Sequence, residues 1–122
     1  MLVVYRLEFD THQSVRLVAS IDTGSTFCMF RNELAIDLGL DPASGELKRL
    51  VTANSSFAAY GHEVEMSVLG LKMVSTVYFF ADPEINKNVL GRIGWLDRVR
   101  LALVDHDSQV FLTPYDQTCP QA

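Results

Sequence analysis

Apolar and polar residues alternate along much of the chain with a period of two, the mark of β-strands that bury one face. Val15, Leu17, Ala19 and Ile21 alternate with Arg16, Val18 and Ser20, and this strand runs directly into Asp22. Residues 26–31 are β-branched and aromatic and predict a second, short strand. Asn32 is placed to cap a short helix over 33–38, which Gly39 stops. Residues 41–45, Asp-Pro-Ala-Ser-Gly, form a loop by composition. Residues 46–52 and 57–69 predict two strands around a hairpin tip at Ala53, Asn54, Ser55 and Ser56. Within the second of them, Val64, Met66 and Val68 alternate with Glu63, Glu65 and Ser67.

Gly70 marks the next turn, and residues 71–81, apolar on both faces, predict a buried strand. A polar loop over 82–87 contains Pro83. Asn88, Val89, Leu90 and Gly91 then lead into a predicted short helix over 92–99 that carries Trp95, Leu96 and Val99. Residues 100–104 and 109–113 predict a closing hairpin around 105–108, and the tail over 114–122 is expected to fray. There is no internal repeat, low-complexity segment or linker, and 122 residues suit a single domain spanning 1–122. Short strands at close spacing with one or two short helices predict an all-β fold, a small barrel or a sandwich.

Composition narrows the function classes. The chain is 48% hydrophobic and 20% charged, with a formal net charge of -5. An acidic balance disfavours nucleic acid as a partner, because phosphate binding needs a basic footprint. No apolar run is long enough to cross a bilayer. Arg6, Glu8 and Asp10 interrupt the first ten residues, which therefore do not read as a signal peptide. The two cysteines, Cys28 in an apolar run and Cys119 in a polar tail, do not make a disulfide framework. Two free thiols in a reducing, cytoplasmic compartment are the expectation.

Chemistry concentrates at Asp22-Thr23-Gly24-Ser25. A strand that ends in Asp, a small hydroxyl residue and Gly makes a tight loop presenting a carboxylate. Gly24 permits close backbone approach there. Ser25 is placed to donate a hydrogen bond to ionised Asp22, which would lower its pKa. The tripeptide alone reads better as an ordinary turn, since Asp and Gly both favour turns. Its setting argues otherwise: an apolar strand before it, another after it, and Val89-Leu90-Gly91-Arg92 further along.

In these features the chain resembles the retropepsin-like, or retroviral-type, aspartic proteases over residues 15–112. The central hairpin, 47–68, sits where that family has its flap, and Val89-Leu90-Gly91-Arg92 is similar to its apolar-apolar-Gly-Arg segment. The resemblance implies a small closed β-barrel, with the catalytic loop over a ψ-shaped crossing made with the apolar-apolar-Gly strand. It implies one catalytic Asp22 from each subunit of a homodimer, and loop support from Thr23, Gly24 and Ser25. It further implies a flap formed by Thr52, Ala53, Asn54, Ser55, Ser56 and Phe57 over an extended peptide or protein substrate. Leu90, Gly91 and Arg92 would be structural near the site. The implied activity is that of an aspartic endopeptidase needing no metal or organic cofactor. Departures are visible: Thr26, Phe27 and Cys28 include no acidic partner for Arg92, Ile93 replaces an Asn or Asp, and the hairpin tip lacks glycine. These suggest a cellular or bacterial relative. The alternatives are a silent binding or dimerisation module and a regulatory domain of a larger protein.

Other candidates have plainer readings. Asp105, His106 and Asp107 lie on a turn, where adjacent side chains diverge, so solvation is favoured over metal ligation. His12 and His62 offer no triad geometry. Cys28, among Phe27, Met29 and Phe30, is expected to be an inert core thiol with a raised pKa. Trp95 is expected to pack in the core, and Glu63 and Glu65 to share a solvated face.

Overall fold

A computed structural model describes residues 2–8 (backbone), 14–51 and 54–115. Among the described residues, nine strands and one short α-helix follow in order: β1 (Leu2–Glu8), β2 (Ser14–Ile21), β3 (Met29–Phe30), α1 (Asn32–Asp37), β4 (Glu46–Val51), β5 (Ser56–Val68), β6 (Leu71–Phe80), β7 (Val89–Leu90), β8 (Val99–Val104) and β9 (Gln109–Pro114). The first strand is one that the sequence pattern does not announce. Seven strands form one sheet in the order β1-β2-β7-β3-β6-β5-β4, and β8 and β9 form a separate hairpin.

The expected all-β class holds, but the closed barrel does not. The sheet curls until β1 pairs antiparallel with both β2 and β5. Its middle is thin, however: β7 pairs with β2 at Ser20↔Val89 and Ile21↔Leu90, and with β3 only at Met29↔Val89. Links this short do not make a continuous barrel wall. The long ladders lie instead in the β4–β5 and β5–β6 hairpins. The β5–β6 turn places Leu69 and Gly70 at φ 49° and 84°, the paired positive φ of a two-residue hairpin loop.

The core follows the alternation read from the sequence. Leu17 and Ala19 of β2, Val64, Met66 and Val68 of β5, and Val77 and Phe79 of β6 point into it. Trp95, Phe30, Phe79, Leu38 and Leu90 are among its fully buried side chains. Each such side chain contributes roughly 1.5–3 kcal/mol of burial energy. Strand β6 departs from its predicted two-sided burial: Lys72, Val74 and Thr76 face solvent, because no described element packs over that face.

The helices also differ from the pattern. Asn32 does not cap α1; it is the first helical residue, and its Nδ2 donates to the Phe80 carbonyl at 2.8 Å. That long-range bond ties the helix to the end of β6. Gly39, at φ 81°, ends the helix as expected. The predicted helix over 92–99 shrinks to a 3₁₀ turn, Leu96–Arg98. Gly94 at φ 101° breaks the helical path, and its N–H is taken by Asp97 Oδ1 at 3.1 Å. Pro114 belongs to β9, not to the tail, and Cys119 lies outside the described residues.

Candidate active site

Asp22 stands where β2 leaves the sheet. Residues 88–93 thread between the two limbs of the loop that follows it. On the first limb, Ser20 N–H donates to Asn88 O at 2.9 Å and Asp22 N–H to Leu90 O at 3.0 Å. On the second, Arg92 N–H donates to Ser25 O at 2.9 Å and Ile93 N–H to Thr26 O at 2.8 Å. The loop closes on itself through Ser25 N–H to Asp22 O at 3.1 Å. Gly91 lies at the centre of this crossing. A Cβ there would stand 2.2 Å from the Phe27 carbonyl oxygen and 2.8 Å from that of Ser25, so only glycine fits. Leu90, beside it, is fully buried.

The carboxylate is exposed and partly ordered. Its Oδ1 accepts the Gly24 N–H at 2.9 Å, an i to i+2 contact that fixes its orientation from its own loop. Thr23 and Gly24 are exposed beside it. Ser25 corrects an expectation: it is buried, and its hydroxyl donates to the Phe27 carbonyl at 2.8 Å rather than to Asp22. The bond braces the loop from beneath, because an inward hydroxyl needs a partner and the Phe27 carbonyl is the near one.

Arg92 is exposed, and its backbone serves the crossing. Cys28 lies under the loop, with Gly91 N–H donating to its Sγ at 3.4 Å. Burial pushes its thiol from the ordinary 9.0 up to about 11, partly offset by the Gly91 hydrogen bond. That is the inert core thiol the sequence led us to expect.

Of the hairpin residues, Thr52 and Ala53 lie outside the described residues, while Asn54, Ser55 and Ser56 are exposed at the tip. Phe57 turns inward and meets Phe80 edge-on at 5.8 Å between ring centroids. The part of the hairpin that meets the loop is β4: Arg49, Leu50 and Val51 line a cavity of about 460 Å³ with Gly24, Ser25, Thr26, Phe27 and Met29. A second cavity, about 420 Å³, contains Asp22 itself together with Ser20, Lys87 and Val89. The loop is thus flanked by a cleft under β4 and by a second cavity whose wall includes the Asp22 carboxylate.

Sequence reasoning missed Asn88, whose side chain joins three segments at the crossing. Its Oδ1 accepts the Arg31 N–H at 3.0 Å and its Nδ2 donates to Val18 O at 3.3 Å. An Asn entering a two-residue strand was the available signal. It missed Lys87 and Arg49 too, which read as ordinary loop and strand cations.

The remaining candidates resolve simply. His62 Nε2 donates to Pro42 O at 2.9 Å, a structural role. Asp105, His106 and Asp107 are exposed on the β8–β9 turn, and no group of three potential metal ligands converges among the described residues. Glu63 is exposed but Glu65 is half-buried, so they do not form one solvated face. Among the described residues no helix is long and apolar enough to cross a membrane.

Set against models of protein families, the chain matches the one described as aspartyl protease, over residues 8–94. No curated protein matches it.

Proposed function

The chain belongs to the retropepsin-like aspartyl protease family, and from that premise we propose that it is an aspartic endopeptidase whose site is completed by a second copy of itself. Family membership supports peptidase activity in general. The observation that carries the finer reading is the placement of Asp22. It is an exposed carboxylate at a strand end, oriented by the Gly24 amide and lining a cavity with Ser20, Lys87 and Val89.

One carboxylate is insufficient for the chemistry. Two carboxylates a few ångströms apart cannot both ionise cheaply, so they share one proton. The ionised member takes a proton from a bound water as that water attacks the scissile carbonyl. The protonated member donates to the carbonyl oxygen, and a proton passes to the amine as the C–N bond breaks. The pair titrates as a unit. This chain has a single Asp-Thr-Gly, at Asp22. A two-fold homodimer brings a second Asp22 to the same place. Thr23 would bond across the axis, and residues around Asn54 to Ser56 would close over an extended peptide.

The test is cleavage of a peptide library by wild type and by Asp22→Asn, with a statine-type inhibitor as control and with size measured at the same concentration. Cleavage by a wild-type dimer, lost in the variant and blocked by the inhibitor, is the expected result. Equal cleavage by both proteins would overturn the mechanism. Dimerisation without any cleavage would favour a binding module.

A further inference from the structure

The two cavities beside the Asp22 loop share a feature: each has a cation in its wall. Lys87 lines the one that contains Asp22, and Arg49 lines the one formed with Thr26, Phe27 and Met29. Both cations are exposed. Among the described residues neither stands in an ion pair, and Arg49 makes only a 3.2 Å hydrogen bond, from its Nη1 to Ser56 Oγ. A third cation, Lys48, lies 4.1 Å from the centroid of the Phe27 ring and adds positive charge at the edge of the second cavity.

The acidic residues nearby do not offset this. Asp82 and Glu84 share the loop of Lys87 but are not in the cavity wall, and Asp82 Oδ1 is occupied by the Glu84 N–H at 2.9 Å. Glu46 is exposed at the far end of β4 from the cleft. Among the described residues Asp22 is therefore the one acidic side chain lining either cavity. The chain as a whole carries a net charge of -5, so the positive walls are local to the cleft.

A peptide side chain entering these cavities meets an ammonium or a guanidinium. An apolar side chain gains nothing from them and desolvates them at a cost. A carboxylate gains a charge-assisted hydrogen bond at each. We infer that the protein selects peptides with an acidic side chain next to the scissile bond, held by Lys87, and a second acidic side chain further along, held by Arg49. The inference rests on the protease reading above, because it is Asp22 that places the scissile bond at the first cavity.

The test begins with a peptide digest of denatured cell proteins, in which cleavage sites are mapped by mass spectrometry. Matched peptides then carry Glu, Gln or Lys beside the cleaved bond. Wild type should show a kcat/KM about three- to tenfold higher for Glu than for Gln, a partly solvated ion pair's worth of selectivity. Lys87→Met should remove that difference, and Lys87→Glu should place the Lys peptide above the Glu peptide. Arg49→Glu should invert the preference at the more distant position only. The wild-type preference should shrink at 1 M salt, where screening acts over about 3 Å. Equal rates for Glu and Gln peptides would overturn the acidic selectivity and leave the protease standing. An unchanged order in Lys87→Glu would overturn the assignment of Lys87. If wild type cleaves no peptide at all, the protease reading fails and this inference fails with it.

Discussion

At Gly91 the crossing admits no side chain, because the nearest backbone atom to a Cβ would be only 2.2 Å away. Gly91→Ala should therefore cost about 3 kcal/mol or prevent folding, as read by urea denaturation. Gly24 is a useful contrast, since its nearest contact would be Asp22 Oδ1 at 3.3 Å. Gly24→Ala should cost less than about 1 kcal/mol of stability, with its effect appearing in kcat instead. Cys28 makes a pH prediction. Its thiol becomes charged by losing a proton, and burial holds the folded value near 11 against an ordinary 9.0. Below pH 9 both states keep the proton and stability is unaffected. Between 9 and about 11 the unfolded chain releases it first, so stability falls as pH rises. The loss is on the order of 2–3 kcal/mol at most. Denaturation curves at pH 8 and 10.5 should show a steeper decline for wild type than for Cys28→Ala, which has no buried thiol at that position to titrate.

Among the elements, β7 does the most with the fewest residues. Its two residues pair with β2 and β3, and Asn88 just before it holds both Arg31 and Val18. Asn88→Ala leaves the Arg31 N–H without its acceptor, which should cost roughly 1–3 kcal/mol. Asn88→Asp keeps that acceptor but sets an oxygen against the Val18 carbonyl, so it should also destabilise the fold. Thermal melts of both variants check this, and stability equal to wild type in each would show that the clamp is idle. The long strands here were legible because alternation repeats over many residues, as in Val64, Met66 and Val68. The helix over 92–99 was misread because its apolar spacing fits a helix while Gly94 takes a positive φ that spacing does not reveal. The cap at Asn32 was misread for a related reason: its partner, the Phe80 carbonyl, is distant in sequence and becomes a neighbour only on folding.

For the whole molecule, the order of Asp22-Thr23-Gly24-Ser25, hairpin, and Val89–Leu90 with Gly91 was enough to indicate the family. It implied a closed barrel that the structure does not have, because closure depends on how strands far apart in sequence meet. The Ser25 hydroxyl direction and the cations at Lys87 and Arg49 were likewise settled by packing, not by pattern. The site itself is proposed to be half of a pair, so activity should depend on protein concentration. Specific activity should fall on dilution below the dimer's dissociation constant, and the size of the particle should fall in parallel. A constant specific activity at concentrations where only monomer is present would contradict the shared site.

Mixing subunits tests that claim most directly. Wild type is allowed to exchange with Asp22→Asn, which should be able to dimerise but supplies no ionisable carboxyl at that position. Every mixed dimer then has a single Asp22 carboxyl and should be inactive. At a one-to-one ratio, random pairing leaves about half the activity of the same amount of wild type alone, and excess variant should drive it toward zero. Wild-type activity that stays constant at every ratio, with mixed dimers demonstrated by mass spectrometry, would mean that Asp22 does not work in pairs.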